Sequence, residues 1–263
     1  MNPKLESMLS SNVDSSLLFR FAYLGRGEEQ ERYLEELASL AEEETWTTPN
    51  GKKYDILLSY LTYTFEKAAN DDLVMITDDE EFAAFNTGLL TPNGEDIICM
   101  FNKFATSTKF KMHLQGFNKE SDYDFLNYFS ETPKVVSYFD NPEKIYFDPY
   151  KQIVKNLDHI LEDNISRFDT TLQEKGKRYI LSLLSSSLDL TIKRCKRNYR
   201  IAVPQYYNHE ITYLLPVDLD GYKMALAVGY VNGRYRVNTI FTLSMAYKNA
   251  RLLMKPEADW LSM

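Results

Sequence analysis

The most concentrated chemical signal in the sequence is a run of cations. Five fall within eight residues: Lys193, Arg194, Lys196, Arg197 and Arg200. Tyr199 stands among them, and cations beside an aromatic ring suit an RNA strand, because cations contact phosphates and rings stack on bases. The alternative is that the cations only complement the dipole at the carboxyl end of a helix. We single out Arg197, Tyr199 and Arg200 as ligand-binding candidates and expect Arg200 to lie within a strand.

A second group of candidates follows from a predicted hairpin. Asn232-Gly233 supplies both positive-φ residues of a two-residue turn. The register that follows pairs Gly229 with Arg236, Val228 with Val237, Ala227 with Asn238, Leu226 with Thr239 and Met224 with Phe241. One face would be apolar, whereas the other would place Arg236 and Asn238 beside Gly and Ala, a space suited to an anion or a base. The alternative is that these small residues let a helix pack closely.

Several other polar residues are ligand-binding candidates because of their neighbours. Asn86 and Thr87 interrupt an apolar stretch and could present donors to a ligand, although a β-bulge or turn explains them equally well. Arg167 follows the end of a predicted helix, and Arg251 lies in the last predicted helix. Tyr206 is a second candidate for stacking on a base.

Metal and nucleophile chemistry have little support in the sequence. The three histidines are scattered, and no metal-ligand spacing, phosphate-binding loop or nucleophile motif is present. We therefore expect no metal and no cofactor. His209 and His159 are the candidates for moving protons if the protein is an enzyme. Cys99 and Cys195 cannot build a disulfide framework, which favours reduced thiols in a cytoplasm.

The 263-residue chain has a net charge of −8 that is unevenly distributed. Residues 1–150 hold 13 Lys and Arg against 27 Asp and Glu, whereas residues 151–263 hold 17 against 11. The balance is therefore −14 in the first part and +6 in the second, which directs the search for an anion site to the second. No apolar run approaches the ~20 residues that span a membrane. We expect one domain over residues 1–263 and no membrane partner.

The periodicity of apolar residues predicts an α+β fold, with a mostly helical N-terminal part carrying short strands. The predicted helices are 28–44, 54–69, 150–163, 170–196 and 245–254. The predicted strands are 73–76, 82–90 and 97–104, then four in succession at 199–207, 211–219, 222–231 and 234–243. These four should form a C-terminal antiparallel sheet flanked by helices. The segment 105–150 gives no clear pattern.

Several motifs agree in order with a known family. They are Ala84-Phe85-Asn86-Thr87-Gly88-Leu89, Asp158-His159-Ile160 with Asn164 and Arg167-Phe168, Lys196-Arg197-Asn198-Tyr199, Pro204-Gln205-Tyr206-Tyr207, Leu214-Leu215-Pro216, and Met245-Ala246-Tyr247 with Asn249-Ala250-Arg251. Their spacing resembles the family catalogued as domain of unknown function 3825. That resemblance implies work on RNA or nucleotides, since the family is sometimes joined to LOTUS-type RNA-associated modules. Asp169 and Ser244 depart from the family's usual Pro and Asp; if that Asp is catalytic, Ser244 argues against activity here.

Three classes of function follow from these observations. The first is a binding module for RNA or a nucleotide-type ligand, cyclic oligonucleotides included, with phage–host conflict as its setting. Its predicted contacts are Arg200, Arg236 and Arg251 converging on phosphates, Asn86, Thr87 and Asn238 reading polar edges, and Tyr199 or Tyr206 stacking. The second is a metal-independent phosphodiesterase or ribonuclease, and the third is a protein-interaction domain using the acidic N-terminal half. The oligomeric state, a homo-oligomer included, is left open.

Overall fold

The structure is a computed structural model that describes residues 1–11, 16–105, 109–139, 141–207 and 209–261. The chain forms two compact units, Met1–Ser137 and Tyr138–Met263. Each unit contains helices and one five-stranded sheet, so the predicted α+β class is confirmed. The expectation of a single domain over residues 1–263 stays a prediction.

The N-terminal unit contains five helices and five strands in its described residues. In chain order they are α1 (Pro3–Met8), α2 (Leu17–Phe21), β1 (Ala22–Tyr23), α3 (Glu28–Leu40), α4 (Asp55–Asn70), β2 (Met75–Ile76), β3 (Phe82–Leu90), β4 (Asp96–Lys103), β5 (Met112–Lys119) and α5 (Tyr123–Leu126). The strand order is β1-β5-β4-β3-β2, with β1 and β5 parallel and the other pairs antiparallel. β5 and α5 lie within 105–150, the segment without a clear pattern of apolar residues.

The core of this unit is a cluster of phenylalanines between α2, α4 and the sheet. Phe65 on α4 is fully buried, and its ring lies 5.1 Å from that of Phe21 and 5.2 Å from that of Phe85. Phe101 on β4 meets Phe21 edge-on at 5.3 Å. Such tilted and edge-on ring pairs stabilise a core beyond the area that they bury. The cluster therefore fixes α4 on one face of the sheet.

The C-terminal unit contains five strands and four helices in its described residues. They are β6 (Ile153–Val154), α6 (Leu157–Asn164), α7 (Thr170–Glu174), α8 (Lys177–Cys195), β7 (Val203–Tyr207), β8 (Glu210–Leu219), β9 (Tyr222–Val231), β10 (Arg234–Thr242) and α9 (Leu243–Arg251). Short 3₁₀ helices span Pro142–Ile145, Ile165–Arg167, Tyr199–Ile201 and Asp259–Leu261. Across both units, no described helix is long and apolar enough to cross a membrane.

The sheet of this unit has the order β6-β10-β9-β8-β7, with β6 parallel to β10 and the rest antiparallel. α8 packs against β8, and α6 packs against β10. The main core cluster of the unit consists of α6 and α8 residues with alternate residues of β8 and β9, such as Leu215 and Leu226. Strand side chains alternate between faces, so these residues share the first face of the sheet.

The second face of the sheet carries small residues and is covered by α9. Ala225 and Ala227 on β9 are buried, and so are Ala246 and Ala250 on α9. α9 contacts β7, β9 and β10. Small side chains on both elements let a helix approach a sheet closely. The close-packing alternative stated above therefore holds for Ala225 and Ala227.

Four sequence predictions need correction in this unit. The segment 170–196 is not one helix, because Gly176, with a φ of 86°, separates α7 from α8. The segment 150–163 is not one helix, because Ile153–Val154 pairs with β10 as a fifth strand before α6 begins. The strand predicted at 199–207 begins only at Val203, because residues 199–201 form a 3₁₀ helix capped by Asn198. Arg200 therefore does not lie within a strand.

The hairpin register is correct near its turn and wrong beyond it. Gly229 pairs with Arg236 as predicted, but the register shifts between Val237 and Thr239. Thr239, and not Asn238, pairs with Ala227, and the next two residues shift in the same way. The extra residue is a β-bulge, which a periodic pattern alone does not reveal.

Replacing Phe65 with Ala should lower the free energy of unfolding by about 3–5 kcal/mol, because truncating a buried aromatic ring leaves a cavity. Tyr63→Ala on the same helix is the matched control, since half of that side chain is exposed. Urea denaturation followed by circular dichroism measures both. Equal losses in the two variants would contradict the packing described.

Candidate nucleic-acid interface

The basic run of the sequence lies where α8 ends. Ile180, Leu184 and Leu188 form part of the buried stripe of α8, which holds the helix on the sheet. Lys193 and Arg194 occupy its last turn, where the helix dipole favours cations. The chain then leaves the helix with its remaining cations exposed. The dipole explanation therefore covers part of the run but not the residues beyond Cys195.

Three exposed tyrosines contact these cations or one another. Tyr146, Tyr150 and Tyr199 are 58%, 77% and 60% exposed. The Lys196 ammonium lies 4.9 Å from the ring centre of Tyr150, and the Arg200 guanidinium lies 5.9 Å from that of Tyr199. The rings of Tyr146 and Tyr199 meet edge-on at 5.6 Å. We call this surface the basic aromatic patch; its members are Tyr146, Tyr150, Lys193, Arg194, Lys196, Arg197, Tyr199 and Arg200.

The cations of the patch are not neutralised by acids in contact. Among the described residues, none of its five Lys and Arg side chains forms an ion pair within 4.0 Å. Elsewhere in the same unit Lys155 pairs with Asp189 at 2.6 Å and Lys175 with Asp220 at 2.5 Å. Residues 138–263 hold 18 Lys and Arg against 14 Asp and Glu, a balance of +4. The patch is therefore a place where positive charge is available to an anionic ligand.

Local hydrogen bonds hold the side chains of the patch. Arg197 donates to the Lys193 carbonyl at 2.7 Å. The Arg200 backbone N–H donates to Asn198 Oδ1 at 3.0 Å, which fixes the turn after α8. The hydrogen bond to the Tyr199 hydroxyl raises the pKa of the Arg200 guanidinium, and the negative charge of Glu257 contributes. These bonds position the Arg197 side chain and the turn that carries Arg200.

Arg236 and Asn238 do not belong to this patch. They lie on β10, whereas Arg200 precedes β7, and β8 and β9 separate those two strands. β7 and β10 are therefore three inter-strand spacings apart, which is about 14 Å. Arg251 is buried within α9. The structure therefore does not bring Arg200 and Arg236 together in the way that the hypothesis of converging arginines requires.

Asn86 and Thr87 lie in the N-terminal unit and are fully engaged there. The Asn86 amide donates to Asp96 Oδ2 at 2.9 Å and to the Pro133 carbonyl at 3.1 Å, and its oxygen accepts from the Gly88 N–H. Thr87 Oγ1 donates to the Ile97 carbonyl at 2.7 Å. The β3 register shifts just after Asn86, so the bulge alternative is confirmed for this segment. These bonds give both side chains a structural role.

Arg167 takes part in a network at the β10 edge of the C-terminal sheet. Its guanidinium donates to Thr239 Oγ1 at 3.0 Å and to the Ile240 carbonyl at 2.6 Å. Thr239 in turn donates to Asn164 Oδ1 at 3.0 Å. These contacts tie the 3₁₀ turn after α6 to β10 near the bulge. Arg167 therefore has partners that explain its presence without a ligand.

The remaining candidates occupy two separate positions. Tyr206 on β7 meets the rings of Tyr138 at 4.8 Å and His209 at 6.4 Å. His209 is exposed, with a positive φ of 62° in the β7–β8 turn. His159 lies on α6 and contacts Asp163 at 3.2 Å. The two histidines are thus on different elements, and neither lies in the basic aromatic patch.

Sequence reasoning missed Tyr146 and Tyr150. They fall in the segment without periodicity, so no predicted element placed them near the basic run. The feature that could have identified them is the mixture of lysines and aromatic residues in this segment, where Lys144 and Lys151 lie close to both tyrosines. The contacts of Tyr146 with Tyr199 and of Tyr150 with Lys196 join residues about 50 positions apart, so no local pattern reveals them.

The N-terminal unit also has a concave surface, although the unit as a whole is strongly acidic. A cavity of about 440 Å³ is lined by the turn Gly25-Arg26-Gly27, by Tyr23 and by Lys109. The Tyr23 hydroxyl donates to Glu29 at 3.1 Å, and α3 begins with three glutamates. Residues 1–137 hold 12 Lys and Arg against 24 Asp and Glu. The C-terminal unit is therefore the better place for a phosphate-bearing ligand.

The chain belongs to the family described as a domain of unknown function, DUF3825, whose model matches residues 37–260. The family suggested by the sequence motifs is confirmed. The match begins within α3 and includes the basic aromatic patch. Comparison with curated proteins and with solved structures gave no match.

Replacing Asn86 with Ala should destabilise the protein by about 1–3 kcal/mol, because the partners of a buried amide lose their hydrogen bonds. A ligand of the basic aromatic patch should bind to this variant as it does to the wild type, since Asn86 lies outside the patch. Urea denaturation and fluorescence anisotropy with labelled RNA measure the two effects. Asn127→Ala, which removes an exposed amide, is the control. If the Asn86→Ala protein folds but does not bind RNA, Asn86 is part of the ligand site and its role is not only structural.

Alkaline pH should destabilise the protein through its buried thiols. Burial raises the pKa of Cys195 from 9.0 to about 11. A pKa raised in the folded state gives stability that is fully present below pH 9 and is lost as pH rises towards 11. Cys195→Ala should therefore lose less stability between about pH 8 and pH 10.5 than the wild type. Burial also raises the pKa of Cys99 and Tyr213, so the variant keeps part of the decline; equal declines would contradict the burial of Cys195.

Proposed function

We propose that the protein binds single-stranded RNA through the basic aromatic patch. The observation that supports this most directly is the pair of exposed tyrosines, Tyr150 and Tyr199, whose rings contact cations that form no ion pair within 4.0 Å among the described residues. Single-stranded nucleic acids are bound by cations that follow the phosphates and by aromatic rings on which bases stack. Duplex RNA keeps its bases stacked inside the helix, so it could not use the rings. Family membership is consistent with this proposal but does not supply a ligand.

The proposed roles divide between the two kinds of side chain. Lys196, Arg197 and Arg200 contact phosphates and supply most of the affinity without sequence preference. Tyr150 and Tyr199 stack on bases, since more than half of each side chain is exposed. The contacts with Lys196 and Arg200 keep each ring beside a positive charge, so one nucleotide can use both.

Binding of a fluorescein-labelled single-stranded RNA, measured by anisotropy over a series of salt concentrations, tests the phosphate contacts. Affinity should fall steeply with salt, because neutralised phosphates release counterions. Arg200→Ala should reduce the slope of log K against log salt by about 0.7, the value for one lost contact on a single strand. Arg178→Ala is the matched control, since Arg178 is exposed in the first turn of α8, at the other end of that helix from the basic aromatic patch. Binding that is insensitive to salt, or an equal change in both variants, would refute the proposal.

The stacking contacts are tested with Tyr199→Ala and Tyr150→Ala. Each should weaken binding by about 1–3 kcal/mol while leaving the salt slope unchanged, because a base contact releases no counterion. Tyr123→Ala, which removes a tyrosine that is 78% exposed in the other unit, should have no effect. Duplex RNA of the same sequence should bind more weakly than the single strand. Equal affinity for the two would contradict a role for the rings.

The same RNA recovered after incubation, with and without a chelator, addresses catalysis. The patch supplies cations and rings but none of the chain's three histidines, so we expect the RNA to stay intact. Metal-insensitive cleavage that is lost in His209→Ala would instead favour the phosphodiesterase alternative. A stable protein partner without any RNA affinity would favour the protein-interaction alternative.

A further inference from the structure

A buried glutamine on the second face of the C-terminal sheet lacks a full set of hydrogen-bond partners. Gln205 on β7 is 1% exposed, and its Nε2 donates to Thr212 Oγ1 across the strand pair at 3.0 Å. Its Oε1 is buried and has no hydrogen-bond partner among the described residues. Rotating the amide by 180° would exchange its oxygen and nitrogen, and the nitrogen would then lack a hydrogen-bond partner in place of the oxygen. A buried amide with an unpaired polar atom lowers the stability of the fold, so its presence here needs an explanation.

Other polar groups continue from Gln205 across the same face. Thr212 pairs with Gln205, and its methyl carbon lies 3.8 Å from where a Cβ of Gly229 would stand. Gly229 pairs in turn with Arg236 on β10. Asn238 reaches back over Gly229, with its Nδ2 only 2.7 Å from that Cβ position. We call these five residues, which cross four strands, the polar row.

The β-bulge explains why Asn238 joins this row. The bulge inserts one extra residue between Val237 and Thr239, so Asn238 has no partner in the register of β9. Bulges often redirect a side chain next to a functional site. Here the redirected amide lies over the one position that lacks a side chain. Any side chain at Gly229 would displace the Asn238 amide.

The groups of the polar row define the chemistry of a ligand. Gln205 and Asn238 are amides, and each offers a donor and an acceptor. A bare phosphate has no donor for the acceptor atoms, whereas the edge of a nucleobase offers both kinds of atom. Arg236 is exposed at the β10 end of the row and suits a phosphate. No member of the row is acidic, so the row offers no partner for the ammonium group of an amino acid.

We propose that the polar row is a second ligand site, which takes a nucleoside monophosphate. The amides of Gln205 and Asn238 and the Thr212 hydroxyl bind the base edge, and Arg236 binds the phosphate. Asn238 moves off Gly229 to admit the base and satisfies the unpaired atom of Gln205 through the ligand. This proposal does not depend on RNA binding by the basic aromatic patch, because it uses none of the same residues.

Isothermal titration calorimetry with AMP, GMP, CMP and UMP, each added separately, tests this site. The wild type should bind at least one of the four, and Asn238→Ala and Gln205→Leu should each weaken that binding by roughly tenfold or more. Asn127→Ala, which removes an exposed amide in the other unit, should bind like the wild type. Absence of binding by the wild type at millimolar nucleotide would overturn the proposal.

Thermal unfolding separates a ligand-binding role of Gln205 from a structural one. Leu has a similar size and removes both the unpaired oxygen and the hydrogen bond to Thr212, so the two effects oppose each other and Gln205→Leu should unfold at a similar temperature while it loses the nucleotide. A Gln205→Leu protein that retains full nucleotide binding would overturn the proposal. Should this variant fail to fold, Gly229→Ala provides a second test, because its Cβ displaces the Asn238 amide and should weaken binding. Unchanged binding in Gly229→Ala would count against the site.

One further variant distinguishes the two proposed sites. Tyr199→Ala should weaken RNA binding but leave mononucleotide binding unchanged. Loss of both activities in Tyr199→Ala would assign the mononucleotide to the basic aromatic patch and overturn the proposal for the polar row. Mononucleotide binding that depends on Gln205 in a protein without RNA affinity would support the polar row alone.

Discussion

The packing of α8 on β8 is the contact on which the candidate surfaces of the C-terminal unit depend. The apolar stripe of α8 fixes the helix on the first face of the sheet, so its carboxyl end, with the cations that follow, emerges near the start of β7. α9 covers the apolar part of the second face. Polar side chains are then confined to the ends and edges of the sheet. Both candidate surfaces lie in positions that this helix arrangement leaves to polar groups.

The two surfaces differ in how their polar groups are satisfied. The cations of the basic aromatic patch are exposed to solvent, so a phosphate that binds them replaces mainly water and counterions. Gln205 in the polar row is already shielded from water. A hydrogen bond between Gln205 and a ligand would therefore form in a medium of low dielectric constant, where it is stronger than in water. Exposed charge favours long polymers of varied sequence, whereas a shielded amide favours a small ligand of defined shape. The C-terminal unit can therefore carry one surface of low ligand specificity and one of high ligand specificity.

Much of the fold was predictable from periodicity, and much of the candidate site was not. The Asn232-Gly233 turn and the four C-terminal strands were predicted because turn chemistry and apolar alternation are local signals. The bulge at Asn238 depends on an unpaired residue, and the pairing of Ile153 with β10 depends on a distant partner, so neither has a local pattern. Arg197, Tyr199 and Arg200 were found through their charge and spacing. Gln205 was not, because its significance lies in a missing hydrogen bond.

The parallel pairing of β6 with β10 has a consequence for the order of folding. Ile153 pairs with Tyr235, so during synthesis the segment around β6 must wait for some 80 further residues before it has a strand to join. Contacts between such distant positions form slowly, because the intervening chain must first be closed into a loop. β10 is also the last strand of the sheet in chain order. β6 can therefore join the sheet only after all of its other strands have been synthesised.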